Sequence, residues 1–147
     1  KMGAIVGNAN ESDAQKLYDF GLNLGIAFQL QDDYLDTFGN PATFGKQVGG
    51  DIIENKKTYL YLKALELASL DDKNTLTGLF QEKLEKNEEK IHQTKIIFNR
   101  YNIPNLVKDQ IKKYSQKAFD TLTSINISDE AKKGLISFGE GLMTRNV

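Results

Sequence analysis

The sequence predicts an all-α fold, and three observations carry the prediction. Apolar residues return at helical spacing in one stretch after another. No stretch of any length alternates apolar with polar residues as a half-buried strand does. The periodic stretches are divided by capping residues and by Gly or Pro breaks. With 147 residues, 39% of them hydrophobic, the chain has the size of about one domain, and residues 1–147 read as a single helical region.

Lys1 to Val6 is a short apolar run that reads as the tail of an interrupted helix, and Asn8 to Glu11 reads as a turn. A long helix follows from about Ser12 to Phe38. Its apolar side gathers Leu17, Phe20, Leu24, Ala27, Phe28, Leu35 and Phe38, as expected of a helix packed into a core. Gly39 ends it, and residues 39–51 read as a loop rich in glycine. The next helix covers about Lys57 to Ala68. Tyr59, Leu60, Leu62, Ala64, Leu65, Leu67 and Ala68 make it apolar nearly all round, which predicts a central position.

Ser69, with Asp72 three residues on, caps a helix from Leu70 that carries Leu76, Leu79, Phe80 and Leu84. Asn87 is placed to cap another, which runs to about Tyr101 with Ile91, Ile97 and Phe98. The charge-dense run Glu82 to Lys90 reads as a solvated helix end and turn. Asn102-Ile103-Pro104 breaks that helix and starts the next, since proline is tolerated at the first helical position. Val107, Ile111, Tyr114, Ala118, Leu122 and Ile125 then form a regular core stripe to about Ser124. Ser128 caps a last helix through about Thr144.

Composition excludes several classes. No apolar stretch approaches the roughly 18 residues a membrane span needs, and the opening residues are not signal-like. The absence of cysteine rules out a disulfide framework and fits a cytoplasmic setting. A net charge of −1 with no basic stripe argues against nucleic acid. There is no internal repeat.

The long helix carries an unusual polar stripe. In Phe28-Gln-Leu-Gln-Asp-Asp-Tyr-Leu-Asp36, helical geometry places Gln29, Asp32, Asp33 and Asp36 within an arc of about 100°, with Gly25 inside it. A metal with phosphate, a solvated face and a protein contact are three readings of such a cluster. The energetics favour the first. The aspartates occupy the C-terminal turns of the helix, where its dipole disfavours each anion by roughly 0.3–1 kcal/mol. Asp32 and Asp36 also repel each other as an i, i+4 pair. A divalent cation turns both penalties into attractions. Mg²⁺ takes one or two protein carboxylates and completes its shell with water and substrate phosphate. Downstream, the loop supplies Lys46, and Lys56, Lys57 and Thr58 follow. Ammonium groups beside a carboxylate-bound metal complement the remaining charge of a polyphosphate.

The run Gly21 to Asp36, then Gly45-Lys46, Gly50-Asp51 and Lys56 with Thr58, resembles the second aspartate-rich region of the trans-isoprenyl diphosphate synthases. These are the farnesyl, geranylgeranyl and longer polyprenyl synthases. A lone Asp-Asp-x-x-Asp also occurs in class I terpene cyclases. The preceding Phe28-Gln29 and the following Gly-Lys, Asp and Lys elements are what the cyclases lack.

The resemblance implies the C-terminal portion of an isoprenoid-synthase-type helical bundle. Family members run to about twice this length and carry a first aspartate-rich motif that is absent here, so the N-terminal half of the domain is expected outside this sequence. The implied activity is Mg²⁺-dependent condensation of an allylic prenyl diphosphate with isopentenyl diphosphate, and pyrophosphate is released. Asp32 is then the direct metal ligand from this half, with Asp33 and Asp36 completing the metal-binding set through waters or neighbouring side chains. Lys46 and Lys56 match diphosphate-contacting lysines. Gln29 matches a side chain whose carbonyl dipole faces the cationic intermediate, and Phe28 matches an aromatic bordering the second substrate. Lys57 stands where the family varies and is not assigned.

A homodimer of the full-length form is implied, and the fragment alone is expected to be inactive. Product length is set in this family beside the first motif, outside this sequence. Two alternatives are a non-catalytic subunit of a heteromeric synthase and a purely structural helical module. The intact aspartates and lysines weigh against the former.

His92, the sole histidine, reads as a surface residue. Close helix packing is the reading favoured for Gly21. For Gly25, packing and clearance for a substrate both stand. Tyr34 and Phe38 read as core rather than substrate-lining. Arg145 is either a basic tail over a diphosphate or part of a frayed terminus.

Overall fold

The computed structural model describes residues 2–44, 48–81 and 87–144. Among them every regular element is a helix, in the order α1 (Met2–Val6), α2 (Glu11–Phe38), α3 (Pro41–Phe44), α4 (Gly50–Ile53), α5 (Tyr59–Leu67), α6 (Leu70–Leu79), α7 (Asn87–Arg100), α8 (Ile103–Thr123) and α9 (Asp129–Met143). No described helix is long and apolar enough to cross a membrane. The residues pack as two compact units, one of residues 1–29 and 110–145 and the other chiefly of residues 30–109.

In the first unit the N-terminal part of α2 packs with the end of α8 and with α9. Asn10 starts α2: its side-chain oxygen accepts from the Asp13 amide at 2.8 Å, and its own amide donates to the Asp13 carboxylate at 2.7 Å. Phe20, Leu24, Ala118, Leu122 and Ile125 are buried together, with Leu135, Leu142 and Met143 of α9 against them. Ser128 accepts from the Ala131 amide at 3.2 Å and caps α9 as predicted. Gly139 lets α9 approach closely, since a Cβ there would lie 2.9 Å from Cε1 of Phe119. Gly21 and Gly25 do the opposite of what close packing requires. Both are exposed, and a Cβ at either would meet nothing within 4 Å. They line an open apolar depression instead of a helix crossing.

In the second unit the centre is α7, which packs against α4, α5 and α6. The sequence predicts that place for α5, but Leu62 and Leu67 are 54% and 43% exposed. Only Leu60, Tyr61 and Ala64 of α5 are buried. Periodicity finds α7 but not its central place, because two of the four residues on its buried face, Lys90 and Thr94, are polar, beside Ile97 and Phe98. Lys90 is also where the expected solvated run fails, since it is 1% exposed. Leu84, predicted as part of the α6 core face, lies outside the described residues. His92 is exposed, as predicted. Asn102, with φ 57°, makes the break between α7 and α8.

Ser69 caps α6 as predicted, accepting from the Asp72 amide at 3.3 Å. Asp72 has a second role that the sequence does not signal. It accepts from the Tyr101 hydroxyl at 2.6 Å, and both its oxygens lie 2.7 Å from Arg100 Nη1. The Tyr101 hydrogen bond, followed by that from Arg100, holds the Asp72 carboxyl below its ordinary value of 3.8. A depressed folded-state pKa contributes stability above the unfolded value and loses it as pH falls through the folded one. Asp72→Asn should therefore lower the melting temperature at pH 7. The difference from the parent should shrink below about pH 3.8. Thermal melts at pH 7 and pH 3 check this, and a pH-independent difference would count against it.

Candidate active site

The acidic stripe sits near the end of α2, and the chain returns to it within fifteen residues. Gly39 closes α2 by donating to the Leu35 carbonyl at 2.8 Å. The predicted loop then contains two short helices that periodicity is too coarse to reveal. Asn40 starts the first, its side-chain oxygen accepting from the Ala42 amide at 3.0 Å with Pro41 at the first helical position. The second, α4, is held by Asp36 itself. The Asp36 carbonyl accepts from the Gly49 amide at 2.6 Å, and its carboxylate accepts from the Asp51 amide at 2.9 Å. One aspartate thus ties the end of α2 to the beginning of α4.

Gly49 is required at that junction. Its φ of 90° is left-handed, and a Cβ would stand 2.6 Å from Cδ1 of Ile91 on α7. Gly49→Ala is expected to destabilise the protein by about 1–3 kcal/mol, combining backbone strain with overpacking. Urea unfolding measures it, and a loss below about half a kcal/mol would mean that the junction relaxes freely.

The chain leaves α4 through Asn55, at φ 57°, and Lys56 turns back toward α2. The Lys56 ammonium lies 3.3 Å from Asp51 Oδ1 and 3.6 Å from Asp33 Oδ1. Asp33 is buried and Asp32 partly exposed. The structure therefore brings Asp33, Asp36 and Lys56 together within the second unit, with Asp32 on the same helical stretch. It adds Asp51, which the sequence signals only as part of the Gly50-Asp51 element. Lys46 and Arg145 lie outside the described residues.

Burial, chiefly, raises the pKa of the Asp36 carboxyl. The hydrogen bond from the Asp51 amide opposes it, the charge of Asp51 adds to it, and Lys56 and Asp33 follow with opposite signs. Desolvation pulls Lys56 down. The hydrogen bond and charge of Asp51 and the charge of Asp33 outweigh it and hold the ammonium above its ordinary value.

Among the described residues no three carboxylate, imidazole or thiolate groups stand close enough to enclose a metal ion unaided. The carboxylates of Asp32, Asp33 and Asp36 are hard oxygen donors, and Mg²⁺ would need only one or two of them, with water and phosphate completing its octahedron.

Phe28 and Gln29 end the first of the two segments that make up the first unit. Gln29 is exposed, and Phe28 is half-buried. With Gly21, Gly25, Leu135, Phe138 and others, Phe28 lines the open apolar depression of about 340 Å³ in that unit. Gly25 here has the clearance of one of its two readings. Tyr34 and Phe38 are half-buried rather than core. Their rings pack at 5.5 Å and line a separate cleft of about 450 Å³ in the second unit, where the Lys108 ammonium lies 5.2 Å from the Tyr34 ring.

Residues 1–97 match the family model described as polyprenyl synthetase. The chain belongs to the polyprenyl synthetase family. It is 38% identical over 135 residues to geranylgeranyl diphosphate synthase of Saccharolobus solfataricus, covering 91% of this chain and 40% of that one. A crystal structure of geranylgeranyl pyrophosphate synthase superimposes with a TM-score of 0.85 at 43% identity, covering 99% of this chain and 46% of that one. A geranylgeranyl pyrophosphate synthase from Corynebacterium glutamicum, complexed with isoprenyl diphosphate and magnesium, gives 0.83 at 27% identity, covering 97% and 40%. The helical architecture is thus that of the family's isoprenoid synthase fold. The chain spans less than half the length of each of these family members.

Proposed function

We propose that this chain supplies one half of the active site of a trans-prenyl diphosphate synthase, with the other aspartate-rich half contributed by sequence outside it. The complete enzyme joins an allylic prenyl diphosphate to isopentenyl diphosphate and releases pyrophosphate. The observation that carries this reading is the Lys56 ammonium set between Asp33 and Asp51 beside the Asp36 anchor. Such a juxtaposition of acids and a cation is what a metal diphosphate needs. A relative solved with isoprenyl diphosphate and magnesium supports it.

In this scheme Asp32 would be the direct ligand of Mg²⁺, and Asp33 and Asp36 would act through metal-bound waters or neighbouring side chains. When bound, the ion supplies positive charge for the oxygens of the departing diphosphate. Lys56, with Lys46, contacts the same diphosphate and stabilises charge as the allylic carbon–oxygen bond breaks. Gln29 turns its carbonyl dipole to the resulting cation, and Phe28 borders the isopentenyl diphosphate. The double bond of that second substrate attacks the cation, a carbon–carbon bond forms, and a proton leaves. The complete enzyme is a cytoplasmic homodimer, and the 147-residue piece by itself is without synthase activity.

Calorimetry of the complete chain with pyrophosphate, with and without Mg²⁺, tests the reading. Binding that requires the metal and weakens at least tenfold in Lys56→Ala is expected, about 1.4 kcal/mol. Metal-independent binding, or an unaffected variant, would sink it.

A further inference from the structure

One buried cation stands behind this site. Lys90 is 1% exposed on α7, among apolar and polar residues that fill the second unit. Its ammonium donates to Asn55 Oδ1 and lies 5.5 Å from the centroid of the Phe80 ring. Among the described residues it forms no ion pair. Desolvation accordingly lowers its pKa. An apolar side chain of similar length would fill the same space without the cost of burying charge. What an ammonium adds is direction, because it holds a chosen acceptor in one place.

That acceptor is well placed to matter. Asn55 is the left-handed residue immediately before Lys56. The Lys56 amide donates to the Asp51 carbonyl at 2.8 Å and the Asn55 amide to the Ile52 carbonyl at 3.1 Å, so Asn55 and Lys56 belong to one closed turn. The neighbouring α7 residue, Ile91, fills the space beside Gly49 at the other end of α4. Two adjacent residues of α7 therefore grip the exit and the entrance of the turn that carries Asp51, while Asp36 holds it from α2.

We infer that Lys90 is a positioning residue of the diphosphate site: its hydrogen bond to Asn55 aims the Lys56 ammonium at Asp33 and Asp51. The inference rests on the function proposed above. Lys90 itself touches no substrate and acts only through Asn55 and Lys56.

Three variants of the complete chain test it. Lys90→Met removes the ammonium and keeps the packing volume. Asn55→Gly keeps the left-handed backbone and removes the acceptor, whereas Asn55→Asp retains an acceptor. The first two should weaken Mg²⁺-dependent pyrophosphate binding about tenfold and speed amide exchange at residues 55–58 by a similar factor. Asn55→Asp should stay within about twofold of the parent. In a Lys56→Ala background neither of the first two should weaken binding further, the non-additivity expected of residues acting through one another.

Parental affinity in both bond-breaking variants, or losses that add to that of Lys56→Ala, would overturn the inference. If Lys90→Met does not fold, the two Asn55 variants decide. A parent chain that binds no pyrophosphate, while exchange at the turn still responds to Lys90→Met, refutes the proposed function. It leaves Lys90 as a clamp on α4 alone, which also overturns the positioning role.

Discussion

Asp32→Ala in the complete enzyme is expected to lower kcat/KM by about a thousandfold or more, equivalent to about 4 kcal/mol of transition-state stabilisation. Asp32 shares the polar arc with Asp33 and Asp36 but sits differently in the protein. Asp36 holds backbone amides at the start of α4, and Asp33 is buried beside Lys56. Removing either disturbs structure and chemistry together. Asp32 is partly exposed, so its loss should cost about 1 kcal/mol of stability or less, well below the effect on turnover. Turnover and a thermal melt measured on the same preparation separate the two effects. Near-normal turnover would remove Asp32 from the site.

Phe98→Ala should be the most damaging substitution for stability, at about 3–5 kcal/mol. Phe98 is 1% exposed on α7, and its ring lies 6.4 Å from that of Phe38. The cavity would open beneath the end of α2, two residues beyond Asp36. Against a typical total of about 5–15 kcal/mol, such a loss leaves little margin. Urea unfolding of the variant gives the value from the midpoint shift at constant slope. A cost under about 1 kcal/mol would show that α7 collapses to fill the space.

Features fixed by near neighbours in the chain were legible in the sequence. Ser69 and Ser128 cap the helices predicted for them, and Asn102-Ile103-Pro104 breaks the chain where expected. The length of α2 followed from the Asn8–Glu11 turn, its apolar spacing and Gly39, and the course of α8 from its apolar stripe. Features that depend on what lies across the fold were not. Lys90 looks solvated because its neighbours are charged, and only the packing of α7 within the second unit buries it. The apolar girth of α5 suggests a central helix, yet centrality belongs to the element with most sides covered. Gly49 and Asp51 gain their roles from Asp36, fifteen residues before Asp51. The candidate site was legible in part because Asp33, Asp36 and Lys56 belong to a patterned run, whereas the turn that aims Lys56 has no pattern of its own.

The tie from Asp36 to Asp51 makes the intervening segment a closed loop with both ends anchored. Closure entropy rises only logarithmically with contour, by about 0.6 kcal/mol for each doubling. Insertions between residues 40 and 44 should thus cost the closure little, with Asp33, Asp36, Asp51 and Lys56 keeping their spacing.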